Sequence, residues 1–158
     1  MTIYDMIIRG GKVATASDTF DSDIAISDGR IVAMGHDLGE AVRTIDANGM
    51  LLLPGGIDAH CHIEQESSTM LMTADDYYSG SVSAAFGGNT TFIPFAAQHK
   101  GQKLRDVVKL AHDRAGPKSV IDYAFHLIVS DPTENVLGQE LPALILEGYS
   151  SFKVYMTY

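Results

Sequence analysis

Cysteine is nearly absent from this chain: Cys61 is the only one in 158 residues. No internal disulfide can form, which points to a reducing, cytoplasmic setting. Cationic side chains are scarce too. Lysine and arginine total 11 against 20 aspartates and glutamates, a formal net charge of -9, and such a balance repels a phosphate backbone. Nucleic acid is thereby excluded as a natural partner, and the acid surplus reads as a solvated surface. Also missing is any apolar run near the ~20 residues that a membrane span requires. The opening "MTIYDMIIRGG" has no basic leader ahead of a long apolar core, so a soluble, unprocessed chain is expected. The 46% apolar content suffices for a sizeable core.

What is present changes character near Pro54. Residues 1–53 read as short strands between turn dipeptides, Asp28-Gly29 after "DIAIS" and Asn48-Gly49 after "TID". Such pairs accept the positive φ of two-residue hairpins, so an antiparallel β-sheet or small sandwich is expected. Residues 54–158 alternate strands with helices. A helix is expected over 73–86, stopping at Gly87-Gly88. Leu104, Val107, Val108 and Ala111 fall at i, i+3, i+4 and i+7 of a second helix, which Gly116-Pro117 ends. A third helical stretch over 134–148 is either restarted or kinked at Pro142. Strands near Thr91, Ile121 and Ser151 recur about every 30 residues, the spacing of βαβ crossovers in a parallel sheet. An open doubly wound sheet or the start of a (β/α)8 barrel both fit. A barrel takes roughly 250 residues, so with about three and a half βα units the chain would then be incomplete, with an unpaired edge.

The chemistry concentrates at two places. In "GGIDAHCHIE" strand alternation puts Asp58, His60 and His62 on one face, successive members about 6.6 Å apart, and Cys61 on the other. Two imidazoles on one face at the carboxyl end of a βα strand can converge on one ion, with Asp58 behind them as an acceptor or further ligand. The competing reading is a pair of ordinary loop histidines. In "SSFKVYMTY" the same alternation places Lys153 with Ser151 and Tyr155 on one face of a strand expected to be covered on both sides, a costly site for an ammonium. A snorkelling lysine is the ordinary explanation. Beside two divalent cations it would instead lose its proton, at roughly 4.6 kcal/mol from an unperturbed pKa near 10.4. The neutral amine could then add carbon dioxide and become an anionic carbamate ligand.

Together, "PGGIDAHCHIE", "TADDYYSGSVSAAFGGNTT", "VIDYAFHLIVSD", "SFKVYMTY", "MIIRGGKV" and "DIAISDGRIVAMG" resemble the N-terminal third of the dihydropyrimidinase and D-hydantoinase branch of the amidohydrolase superfamily. The resemblance implies a β-sandwich segment (1–53) leading into a (β/α)8 barrel (54–158), two Zn2+ per site, and a homotetramer. It implies His60 and His62 as metal ligands, Lys153 as an N6-carboxylysine bridge, and Tyr158 as the donor that steadies the oxyanion. The remaining ligands, two histidines and an aspartate, are expected beyond Tyr158. The activity implied is attack by a metal-bridging hydroxide on a cyclic amide or imide, opening a dihydropyrimidine or hydantoin to an N-carbamoyl amino acid. By itself, a chain ending at Tyr158 is expected to be inactive.

Within that resemblance, the arginine that dihydroorotases carry two residues after H-x-H is replaced by Glu64, and the continuation usual in allantoinases is absent. The Met-Pro loop of many hydantoinases is replaced by "EQESSTMLM". Glu64, Gln65 and Glu66 are expected as a polar gate, Met70, Leu71 and Met72 as its apolar part, and Tyr155 as a further contact for the small-molecule substrate. His126 is expected as a hydrogen-bonded core residue, His36 and His112 as exposed, and Cys61 as packing against a helix. The alternatives are a non-catalytic dihydropyrimidinase-related scaffold, another cyclic amidohydrolase such as allantoinase, and a free-standing metal-binding α/β domain.

Overall fold

A computed structural model describes residues 3–66 and 71–156. The chain forms two compact units, Met1–Pro54 and Gly55–Tyr158. In the first, β1 (Tyr4–Ala14) is the axis of a sheet in the order β3-β2-β1-β4, formed with β2 (Thr19–Ser27), β3 (Arg30–Gly35) and β4 (Ala41–Asp46); β5 (Leu51–Leu52) also pairs with β1. Asp28 and Gly29 join β2 to β3 at φ 50° and 68°, the positive pair of an Asp-Gly hairpin.

Asn48-Gly49 departs from expectation. β4 and β5 both run parallel to β1, with Asp46 opposite Arg9 and Leu51 opposite Lys12, so the dipeptide makes a jog along one edge and no hairpin. Crowding explains it. β1 bulges between Ile8 and Gly11, and the side chains of Asn48 and Leu52 fill the spaces where Cβ atoms on Gly10 and Gly11 would sit. The edge chain must detour around that bulge before pairing resumes.

The second unit is parallel α/β. β6 (Gly56–Asp58), β7 (Asn89–Phe92) and β9 (Asp122–Tyr123) form one sheet in that order, and β8 (Phe95–Ala97), β10 (His126–Ile128) and β11 (Phe152–Lys153) another, in the order β11-β10-β8. The apolar runs near Thr91 and Ile121, which each read as one strand, are thus divided in two. The break at Ile93-Pro94 follows from proline's missing donor, yet Pro94 O still accepts from the His126 N–H at 2.9 Å.

Helix α1 (Tyr77–Phe86) begins four residues later than its sequence pattern implies. Residues 72–75 are held instead against 64–66: Glu64 donates to Asp75 O (2.9 Å), Thr73 donates to Gln65 O (3.0 Å), and Glu66 bridges Met72. Asp76 caps the helix, accepting from the Ser79 N–H at 2.9 Å, while the Ser79 hydroxyl accepts from the Asp76 N–H. Gly88, at φ 87°, ends it where expected. Helix α2 (Leu104–Ala115) buries Leu104, Val107, Val108 and Ala111 as its periodicity requires. The third helical stretch divides: a π-turn over Val136–Glu140, in which the Leu141 N–H reaches Val136 O, passes into α3 (Leu141–Leu146) with Pro142 in its first turn. Among the described residues no helix is long and apolar enough to cross a membrane.

One apolar cluster, including Ile63, Phe92, Leu104, Phe125, Leu127 and Leu144, joins these helices to the strands. Leu104 is fully buried in it, so Leu104→Ala is expected to lower the unfolding free energy by about 2–5 kcal/mol in a denaturant titration. The Ser79 N–H, and then Lys118, hold the Asp76 carboxyl below its ordinary value of 3.8. That stabilisation is complete above the ordinary value and fades as pH falls through the depressed native one. Asp76→Asn should therefore flatten the acid limb of a stability-against-pH curve and leave its neutral limb parallel to the parent's.

Candidate functional site

β6 ends at Asp58, so His60 and His62 lie just beyond the strand's carboxyl end and not on the strand itself. Asp58 is the cause. Its carboxylate accepts from the His60 N–H at 3.1 Å, a local turn that competes with strand pairing, while its carbonyl accepts from the Ile93 N–H at 2.8 Å. Asp58 thus shapes the backbone of the pair. The two rings still face one another, centroids 5.4 Å apart, and both pack on Phe95 of β8, at 4.9 and 5.0 Å. From β11, the Lys153 Nζ lies 4.7 Å from the same ring centroid and 5.3 Å from that of Tyr155. Among the described residues, Lys153 joins no ion pair; aromatic faces carry the charge instead. Two imidazoles and one amine therefore gather around one buried phenyl ring. No three His, Cys, Asp or Glu side chains among the described residues assemble as a metal-binding group, so any further donor at this place has to come from Lys153 or from outside them.

Hydrogen bonds fix the ring tautomers. His62 Nδ1 lies 2.8 Å from Gln65 Oε1. An amide oxygen only accepts, so Nδ1 carries the proton and the neutral ring keeps its lone pair at Nε2. In His126 both nitrogens are engaged: Nε2–H donates to Ala59 O at 2.8 Å, and Nδ1 accepts from the Ser151 hydroxyl at 2.6 Å. His126 is the hydrogen-bonded residue expected from sequence, and it pins the carbonyl immediately before His60. Cys61 packs against the apolar cluster; burial, and next the charge of Asp58, push its thiol up to about 11, which keeps it protonated and unreactive.

The proposed gate is corrected at Glu64. Its side chain is turned to Lys118, 2.9 and 2.8 Å from Nζ, and to the Tyr77 N–H at 3.2 Å. A carboxylate held this way anchors the loop base and faces no substrate. Leu71 is 68% exposed; Met70 and Tyr158 lie outside the described residues. Tyr155 lines a cavity of about 530 Å³, together with Gln65, His99, Ser130, Leu137 and Phe152. His112 corrects another expectation: it is half-buried, its Nε2 2.6 Å from the Tyr149 hydroxyl and its ring set edge-on against Phe125. Sequence patterning also missed Phe95, and it named Gln65 only as a gate residue and not as the partner of His62. Phe95 was signalled only by its place at the carboxyl end of the second strand, and Gln65 by its three-residue separation from His62.

No protein-family model matches the chain. It is 44% identical over 154 residues to the D-hydantoinase of Geobacillus stearothermophilus, an alignment covering 96% of this chain and 32% of that enzyme. Among solved structures, a D-hydantoinase superposes with a TM-score of 0.92 at 44% identity, covering 98% of this chain and 33% of the other. The dihydropyrimidinase of Brevibacillus agri NCHU1002 gives 0.90 at 42% identity, covering 97% and 33%. The chain spans about a third of the length of these relatives.

Phe95→Leu keeps most of the apolar volume and removes the ring faces. The unfolding free energy should fall by less than about 1.5 kcal/mol, while the ring-current shifts of the Lys153 Cε protons shrink to the part that Tyr155 contributes.

Proposed function

We propose that this chain, a relative in sequence and fold of the D-hydantoinases and dihydropyrimidinases, supplies part of a metal-dependent active site that opens cyclic amides or imides to N-carbamoyl amino acids. In this reading its parallel strands begin a (β/α)8 barrel, residues 1–53 belong to a β-sandwich, and the assembled protein is a cytoplasmic homotetramer. The observation that carries the proposal is the convergence of His60, His62 and Lys153 on the Phe95 ring.

The donors present, two imidazoles and an amine, fit part of a two-zinc centre whose remaining ligands would come from beyond Tyr158. Neutral imidazoles are good zinc ligands, and the Gln65 contact leaves His62 with a free Nε2. Lys153 is unsuited as an ammonium. Attack of its neutral amine on carbon dioxide forms an N–C bond, releases one proton from Nζ and leaves a carboxylate with two oxygens. Bound there, zinc lowers the pKa of a water and polarises the substrate carbonyl. The chain's own residues do the rest. Asp58 and His126 hold the backbone on which His60 is carried. Phe95, itself buried, is the apolar floor on which both imidazoles and the Lys153 amine rest. Tyr155 lines the cavity available to the ring substituent, with Leu71 and Met70 as further apolar contacts, and Tyr158 is assigned as hydrogen-bond donor to the carbonyl oxygen as charge develops.

The full-length protein that contains this chain should bind zinc and consume hydantoin or dihydrouracil, followed by loss of ring absorbance. Lys153→Ala should lower turnover by at least about 100-fold and reduce the zinc content. Retention of full turnover by that variant would remove the bridging role, and absence of zinc from the active parent would remove the mechanism.

A further inference from the structure

We propose that the Glu64–Lys118 pair is a positioning device for His62: it locks the base of the 64–73 loop so that Gln65 holds the imidazole in its Nδ1–H form. The proposal rests on the reading of His62 as a metal ligand. Glu64 is a non-glycine residue at φ 46°, a left-handed conformation that is strained for an L side chain and persists only where the surroundings impose it. Here every polar group of the residue is engaged. Its N–H donates to Asp75 O at 2.9 Å, its carbonyl accepts from the Arg114 guanidinium at 3.4 Å, and its carboxylate accepts from Lys118 and from the Tyr77 amide. Glu64 is 16% exposed at its side chain and Lys118 35%.

The consequence falls on the next residue. Gln65 donates its N–H to the Thr73 hydroxyl at 3.0 Å and accepts the Thr73 N–H at its own carbonyl at 3.0 Å, so its backbone cannot rotate unless the loop base opens. Only its side chain remains to be placed, and that meets His62 Nδ1. Lys118 is itself fastened to the end of α2, its N–H bonded to Ala115 O at 3.1 Å. The orientation of His62 is thereby referred to the helix that anchors the apolar core, through a residue 54 positions from Glu64 in sequence.

Long-range 1H–15N correlation on 15N-histidine-labelled, metal-free protein reads the tautomer directly. The parent should show His62 as Nδ1–H. Gln65→Leu, Glu64→Gln and Lys118→Met should each give a mixture with the Nε2–H form and weaken zinc binding, by calorimetry, about 10–100-fold; Lys118→Arg should restore both. If Lys118→Met does not fold, Glu64→Gln, nearly the same in shape, gives the same resonances. An unchanged His62 tautomer in Glu64→Gln and Lys118→Met, with only the unfolding midpoint lowered, would make the pair a structural ion pair and overturn the proposal. A tautomer response in a full-length protein that neither binds zinc nor opens hydantoin would leave the positioning intact and sink the hydrolase reading instead.

Discussion

Parallel pairing of β8, β10 and β11 is the constraint from which the site follows. It sets Phe95, His126 and the Ser151–Lys153 segment on neighbouring strands, so side chains from distant stretches meet at one edge. The chain at the end of β6 joins them through two carbonyls: Asp58 O accepts from the Ile93 N–H, and Ala59 O from the His126 imidazole Nε2. A phenyl ring, two imidazoles and the lysine side chain then meet at one place. Phe95 is 7% exposed, and burying it beneath polar rings is tolerable because each imidazole presents a ring face or edge to it.

Much of the fold was legible from periodicity. Helix α2 could be read residue by residue, since an amphipathic stripe needs no knowledge of its partner beyond its being apolar. The parallel alternation after Pro54 was equally visible. Asn48-Gly49 misled, because the dipeptide reports only tolerance for positive φ and not which way the next strand runs; the bulge at Gly10-Gly11 decides that. The late start of α1 has the same origin, since residues 72–75 have a competing partner in 64–66 that no helix pattern reveals.

The site divides in the same way. His60 and His62 were conspicuous by spacing, and Lys153 by its place on a strand expected to be covered, although β11 is an edge strand whose Phe152 is 47% exposed. The histidines' support was hidden. Glu64 reads as part of a polar gate until Lys118 is brought beside it, and His126 shows two satisfied nitrogens only once Ser151 and Ala59 arrive from other elements. Local chemistry announced the donors, while tertiary contacts determined how they are held.

Anomalous diffraction at the zinc edge from crystals grown in bicarbonate tests the central claim most directly. The account predicts a peak about 2.0–2.1 Å from nitrogens of both His60 and His62, with carboxylate density on the Lys153 Nζ reaching toward it. A fully loaded crystal whose zinc lies away from these histidines, or whose Lys153 is a bare amine beside bound metal, would contradict it.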